Sequence, residues 1–232
     1  HTALADPLNA HWLRCGGTWF VGVDALPNDA EGRLDGGDLP GGAAFDFVRA
    51  TLRGGELPLH RAQISVCFPG YPKPSTAESG AAFRFRVTRD AAHVDGLLLG
   101  DPQRRRFLRE PHAWILGIGL ETPGAGASPT VLWEGSHRSM GPALAAALAE
   151  HASTDWPHVD ITAPYQQARR EVIARCARIP VPLACGETLL LHRHLLHGIA
   201  PWEQASAGSE GQRTVAWFRP QFHTLLEWLG TD

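Results

Sequence analysis

Two short segments far apart in the chain hold side chains that could share one metal ion. His93-Val94-Asp95 places an imidazole and a carboxylate two residues apart, and in extended chain such residues project to the same side. The second segment is the leucine run after Gly186, which ends in His192-Arg193-His194-Leu195-Leu196-His197-Gly198. A buried strand tolerates an imidazole poorly unless its nitrogens are hydrogen-bonded or ligate a metal. His197 stands where the apolar run ends, and Gly198 lets the chain pass close behind it. The two segments lie 197 − 95 = 102 residues apart, so a rolled sheet must bring them together.

Two histidines and one carboxylate occupy one face of an octahedral ion and leave the other face open. That is the ligand set of non-haem iron(II) centres, which need vacant positions for a cosubstrate and for dioxygen. A third element is Arg213, 213 − 197 = 16 residues beyond His197 and at the start of another apolar segment. A buried guanidinium there could grip a dicarboxylate by its far end. Arg219 lies on the same strand face by parity and is the reserve for that role. The H-x-D tripeptide taken alone is more often a surface histidine beside a turn aspartate. His137 reads as structural. His192 and His194 would share a strand face and compete with His197 for the ligand role. His112, His151 and His158 read as ordinary.

The elements that must position these groups are mostly short strands. Residues 17–24 (GTWFVGVD), 63–68 (QISVCF), 114–120 (WILGIGL), 130–133 (TVLW), 186–196 (GETLLLHRHLL) and 214–218 (TVAWF) are apolar and rich in β-branched or aromatic residues. Residues 82–88 alternate Phe83, Phe85 and Val87 with Arg84, Arg86 and Thr88, the period of a half-buried strand. Residues 114–120 and 130–133 flank a Gly- and Pro-rich turn and are expected to form a hairpin. Helices are expected over 43–52, 142–152 (with Pro142 in its first turn) and 164–176, the last two forming an insertion around 142–176. With 18 Pro and 25 Gly, the chain favours many short strands over a bundle. A mainly β fold with flanking helices follows. Its expected form is a double-stranded β-helix (jelly roll, cupin-like), in one domain spanning 1–232.

At 232 residues and 44% hydrophobic, the chain can bury one good core. Its formal charge of −3 gives no sign of a nucleic-acid partner, and no apolar run is long enough to span a bilayer. The four cysteines stand far apart without a C-x-x-C pair, which argues against a zinc ribbon or a disulfide scaffold and for a reduced, cytoplasmic protein. The conspicuous basic run is Arg104-Arg105-Arg106 with Arg109 behind it. Its bland reading is a solvated loop; the sharper one is a clamp for an acidic group on the substrate. Loops at 25–42, 69–80 and 96–111 are expected to shape the substrate pocket.

These residues resemble the phytanoyl-CoA dioxygenase-like family of Fe(II)/2-oxoglutarate-dependent oxygenases. His93-Val94-Asp95 looks like that family's H-x-D. Residues 130–138 (TVLWEGSHR) look like its strand ending in P-G-S-H-[RK]. Gly186 to His192 and on through His197-Gly198 resembles the strand that leads to its distal histidine, and Arg213 falls where the family keeps its 2-oxoglutarate arginine. The four motifs occur in the family's order over about residues 80 to 220. Glu134 replaces the usual proline, and Trp202 stands where asparagine is common. The resemblance implies Fe(II) on His93, Asp95 and His197, with 2-oxoglutarate as cosubstrate held by Arg213 and by a further contact among Thr130, Trp133 and Thr214. It implies hydroxylation of a C–H bond of a small-molecule substrate by dioxygen, with release of succinate and CO2. Two other readings share the barrel and the histidines: a cupin-like metal isomerase or hydrolase, and a non-catalytic barrel that binds a small ligand.

Overall fold

A computed structural model describes residues 2–75, 78–100, 103–124, 126–203 and 211–230. Among them run eleven strands: β1 Leu13–Arg14, β2 Trp19–Phe20, β3 Gln63–Cys67, β4 Leu97–Gly100, β5 Arg105–Leu108, β6 Trp114–Gly119, β7 Thr130–Trp133, β8 Arg178–Val181, β9 Thr188–His192, β10 His197–Ile199 and β11 Arg213–Phe218. Six helices accompany them: α1 Thr2–Ala5, α2 Ala43–Thr51, α3 Gly80–Thr88, α4 His137–Leu148, α5 Thr162–Arg175 and α6 Leu225–Leu229. Every ladder is antiparallel. The large sheet has the order β1-β2-β3-β11-β6-β9, the smaller one β10-β7-β8, and β4 and β5 form a hairpin. His93 extends the smaller sheet by one rung through an antiparallel bridge to His197. No described helix is long and apolar enough to cross a membrane.

The apolar faces account for this layering. Val131 and Trp133 of β7 bury themselves with Met140, Leu144 and Leu148 of α4 and with Tyr165, Ala168 and Val172 of α5 in one core cluster. Trp133 and Tyr165 are almost wholly buried, and large side chains of this kind contribute on the order of 2–3 kcal/mol each by area. The opposite face of β7, Thr130 and Leu132, turns toward the large sheet, where Leu132 packs with Ile115 and Leu191. All four cysteines are free thiols.

Four expected elements differ. Residues 82–88 are helical: the Ser79 hydroxyl accepts the Ala82 N–H and caps α3, and no described strand pairs with the segment. The 114–120 and 130–133 segments do not form a hairpin. β6 lies between β11 and β9, whereas β7 lies between β10 and β8 in the other sheet. The 186–196 run is broken by a turn at residues 193–196, so His192 ends a strand of the large sheet and His197 opens one of the smaller sheet. Arg193 turns inward there and donates Nε–H to the Trp228 carbonyl. Finally, α4 starts at His137, five residues earlier than expected, and carries Pro142 inside it.

Candidate metal centre

Backbone pairing brings His93 and His197 together. The His93 N–H donates to the His197 carbonyl at 2.8 Å and the His197 N–H to the His93 carbonyl at 3.0 Å, a doubly bonded antiparallel rung that points both side chains to one face. Gly198 is required beside it. A Cβ there would stand 2.1 Å from the Asp90 carbonyl oxygen, which accepts the Ile199 N–H. The chain reaches His93 through two left-handed residues, Asp90 and Ala91 (φ 54° and 53°). Arg178 of β8 anchors that bend with two bonds to the Asp90 carboxylate, at 2.7 and 2.8 Å. From α5, Arg169 donates to the Ala92 carbonyl and the Tyr165 hydroxyl accepts the Val94 N–H. The inserted helices thus hold the back of the H-x-D segment.

Each imidazole has one nitrogen committed. His93 Nδ1 lies 2.9 Å from the Ala91 carbonyl oxygen, and His197 Nδ1 lies 2.9 Å from that of Leu195. A carbonyl only accepts, so both Nδ1 atoms carry hydrogen, and in the neutral rings Nε2 is a bare lone pair. Both Nε2 atoms face the same carboxylate oxygen, Asp95 Oδ1, at 3.2 Å from His93 and 3.8 Å from His197. The His197 ring stays neutral: burial pushes its pKa down to about 4, against the opposing pull of Asp95. Burial works to raise the Asp95 pKa, but the Arg219 guanidinium and the two histidines outweigh it and hold the carboxyl well below its ordinary value. Two ring nitrogens and a carboxylate oxygen thus converge on one point from three residues, as the ligands of a single cation do. The three residues are also the one set of histidine, cysteine or carboxylate groups among the described residues whose ligand atoms converge closely enough for an ion.

The centre opens into a cavity of about 280 Å³ between the sheets. Trp19, Trp217, Leu98 and Ile115 give it apolar walls, and Glu110 and Arg219 add charge. Thr130 lines this cavity, as does Ser65 of β3. Both bind Arg213: its Nη2 donates to Thr130 Oγ1, and Nη1 lies 3.5 Å from Ser65 Oγ. Arg213 is buried at 3% exposure, and no carboxylate among the described residues pairs with it. A buried guanidinium bonded to two hydroxyls and the Cys67 thiol lacks a counter-ion among the described residues. Burial lowers its pKa in keeping with that. Nearby, burial raises the Cys67 thiol to about 11, so it too supplies no anion at neutral pH.

Other expectations fall elsewhere. Trp133 sits on the far face of β7, in the core against the helices, so it does not reach the cavity; strand parity separates it from Thr130. Thr214 binds Glu121 Oε2 on the other side of the large sheet. Arg219 lies against Asp95 and Gln63. His192 stacks on His137, with centroids 4.7 Å apart, and His194 packs edge-on to Trp228. None of these three lines the cavity. The arginine run serves the fold: Arg106 donates to the Leu97 carbonyl and lies over the Tyr165 ring, while Arg104 and Arg105 are exposed. Ser136 escaped notice in the sequence. Its hydroxyl accepts the Leu196 N–H and so ties the start of α4 to the residue before the distal histidine.

No family model matches the chain, and no curated protein matches it significantly. Solved structures similar to it include the non-haem α-ketoglutarate-dependent carbocyclase SnoK from nogalamycin biosynthesis (16% identity over 71% of this chain and 49% of that one, TM-score 0.39). AviO1 from Streptomyces viridochromogenes Tue57 is similar at 16% identity (78% and 58% covered, TM-score 0.38). HygX from Streptomyces hygroscopicus, with nickel, 2-oxoglutarate and hygromycin B bound, is similar at 17% identity (72% and 58% covered, TM-score 0.33). This chain thus spans about half the length of those proteins, and what its site can do is set by its own residues.

Proposed function

We propose that this chain is a non-haem iron oxygenase of the 2-oxoglutarate-dependent kind that hydroxylates a C–H bond of a small molecule. The observation that carries the proposal is the convergence of the His93 and His197 Nε2 atoms on one oxygen of the buried Asp95 carboxylate, beside a buried arginine that pairs with no carboxylate among the described residues. His93, Asp95 and His197 would hold the metal, and Arg213 with Thr130 would seat the far carboxylate of the cosubstrate. An iron(II) ion chelated by 2-oxoglutarate supplies, when bound, the oxidative chemistry that consumes dioxygen and releases succinate and CO2. The chain's part is orientation and exclusion of water. Ala91 and Leu195 carbonyls fix the two imidazole tautomers. Trp19, Trp217 and Ile115 line an apolar space in which a substrate can displace solvent.

The fold belongs to the proposal. Four strands in the order β3-β11-β6-β9 face a second set, the His93 rung with β10-β7-β8. Read along the chain, the eight change sheets at every step except from β7 to β8, which pair within the smaller sheet, as the two halves of a jelly roll do. The motif order supports the phytanoyl-CoA dioxygenase-like branch. A cupin-like isomerase or hydrolase would use the same three ligands and leave Arg213 without a role. The charged groups on the cavity wall, Asp95, Glu110 and Arg219, do not single out an acidic substrate.

The test is anaerobic. Fe(II) plus 2-oxoglutarate should give the wild-type protein a weak visible charge-transfer band that Asp95→Ala abolishes. A metal-loaded wild-type protein without that band would remove 2-oxoglutarate from the proposal.

A further inference from the structure

We propose that Arg219 is a positioning residue that keeps Asp95 a one-oxygen ligand, a role that rests on the metal reading above. The two carboxylate oxygens of Asp95 have different neighbours. Oδ1 faces both imidazole Nε2 atoms, at 3.2 and 3.8 Å. Oδ2 faces Arg219 Nη1 at 3.3 Å. The guanidinium is itself anchored, because Nη2 donates to Gln63 Oε1. Gln63 stands opposite Trp217 in the β3/β11 ladder, and Arg219 follows two residues on along the same face. Its position is therefore set by sheet register.

Carboxylates bind metals through one oxygen or through both, and nothing in a free Asp side chain selects between them. A second oxygen on the ion would fill one of the positions that the chemistry needs open. A guanidinium on Oδ2 prevents this by giving that oxygen a partner of its own. Arg219 is poorly suited to tightening metal binding, since a fixed positive charge beside the carboxylate repels a dication. The arrangement suits control of ligand number instead. It also gives the two arginines different partners: Arg213, which opens β11, is bonded to Thr130 at the cavity wall, whereas Arg219, just beyond the end of β11, is committed to Asp95.

Mn(II) alone, without cosubstrate, tests this. Broadening of the Mn(II) paramagnetic resonance in oxygen-17 water counts the waters on the ion. With three one-oxygen or one-nitrogen protein ligands on a six-coordinate ion, the wild-type protein should show about three waters. Arg219→Met should show about two and bind Mn(II) at least as tightly as the wild type. Arg219→Lys, which still offers a donor to Oδ2, should restore about three. An unchanged count in Arg219→Met with the ion held overturns the proposal, as does a loss of Mn(II) affinity of tenfold or more with no change in count. A wild-type protein that takes up no Mn(II) strikes down the metal reading itself and is thereby told apart from failure of the Arg219 role. Melting of the metal-free variants keeps folding separate; if Arg219→Met does not fold, Gln63→Leu removes the guanidinium's second anchor and should shift the count the same way.

Discussion

At the scale of single residues, Arg213 and His194 carry opposite costs. Arg213 is a buried cation held by Thr130 and Ser65. Replacing a poorly compensated buried charge with an apolar side chain of similar volume is often neutral or stabilising, by about 1–4 kcal/mol. Arg213→Met should therefore melt at or above the wild-type temperature in the metal-free state. Its affinity for 2-oxoglutarate should fall at least tenfold with metal affinity unchanged, as calorimetric titration would read. A destabilised variant with intact cosubstrate affinity would make Arg213 a structural residue. His194 is nearly buried against Trp228, and burial lowers its pKa from 6.5 to about 3. The His197 pKa falls to about 4 for the same reason. As the pH drops below 6.5 the unfolded chain takes up these protons first, while the folded chain refuses them until near 4 and 3. The stability tied to the neutral rings is thus complete above about pH 6.5 and is lost as pH falls below it, at up to about 1.4 kcal/mol per pH unit per ring. Metal-free His194→Phe should show a shallower decline in melting temperature between pH 6.5 and 4. A slope equal to that of the wild type would refute the assignment.

At the scale of elements, the site depends on close passage of two chain segments. Gly198→Ala drives a Cβ into the Asp90 carbonyl, which should cost about 1–3 kcal/mol and abolish metal binding. Gly211→Ala, where no atom lies within 4 Å of the added carbon, should change neither, so denaturant melts and Mn(II) titrations of the pair isolate the contact. Legibility from sequence differed sharply among elements. Strand β7, with bounds Thr130–Trp133, and helix α2 were readable because turns and a Gly-rich lead isolate them. Segment 82–88 was not. Alternation over seven residues also arises by chance in a helix, and the deciding cap, Ser79, lies outside the apolar pattern. The break between β9 and β10 was hidden because its leucines bury on both sides of the turn. The turn bond from the Leu195 N–H to the His192 carbonyl and the inward bond of Arg193 to α6 show where the chain changes sheets. The convergent set His93, Asp95 and His197 and the buried Arg213 were legible as residue types. Trp133 was misplaced by one step of strand parity, and the bond of Arg219 to Asp95 required the β3/β11 register.

At the scale of the molecule, the centre joins three parts of the chain that the core already packs together. His93 follows α3, His197 belongs to the smaller sheet, and Arg219 follows the last strand of the large sheet. A ligand that binds only the folded state stabilises it by mass action, about 2.7 kcal/mol at a hundredfold excess over its dissociation constant. Adding Mn(II) at that excess should raise the melting temperature of the wild-type protein by several degrees and leave Asp95→Ala unmoved. An equal rise in both would place the ion elsewhere on the chain.

The rung between His93 and His197 has a further consequence. The same two residues supply the backbone amides that close the smaller sheet and the rings that would bind the ion. In heavy water, those two amide hydrogens should therefore be lost in step with one another, and an added dication should slow both by a common factor while distant amides keep their own pace.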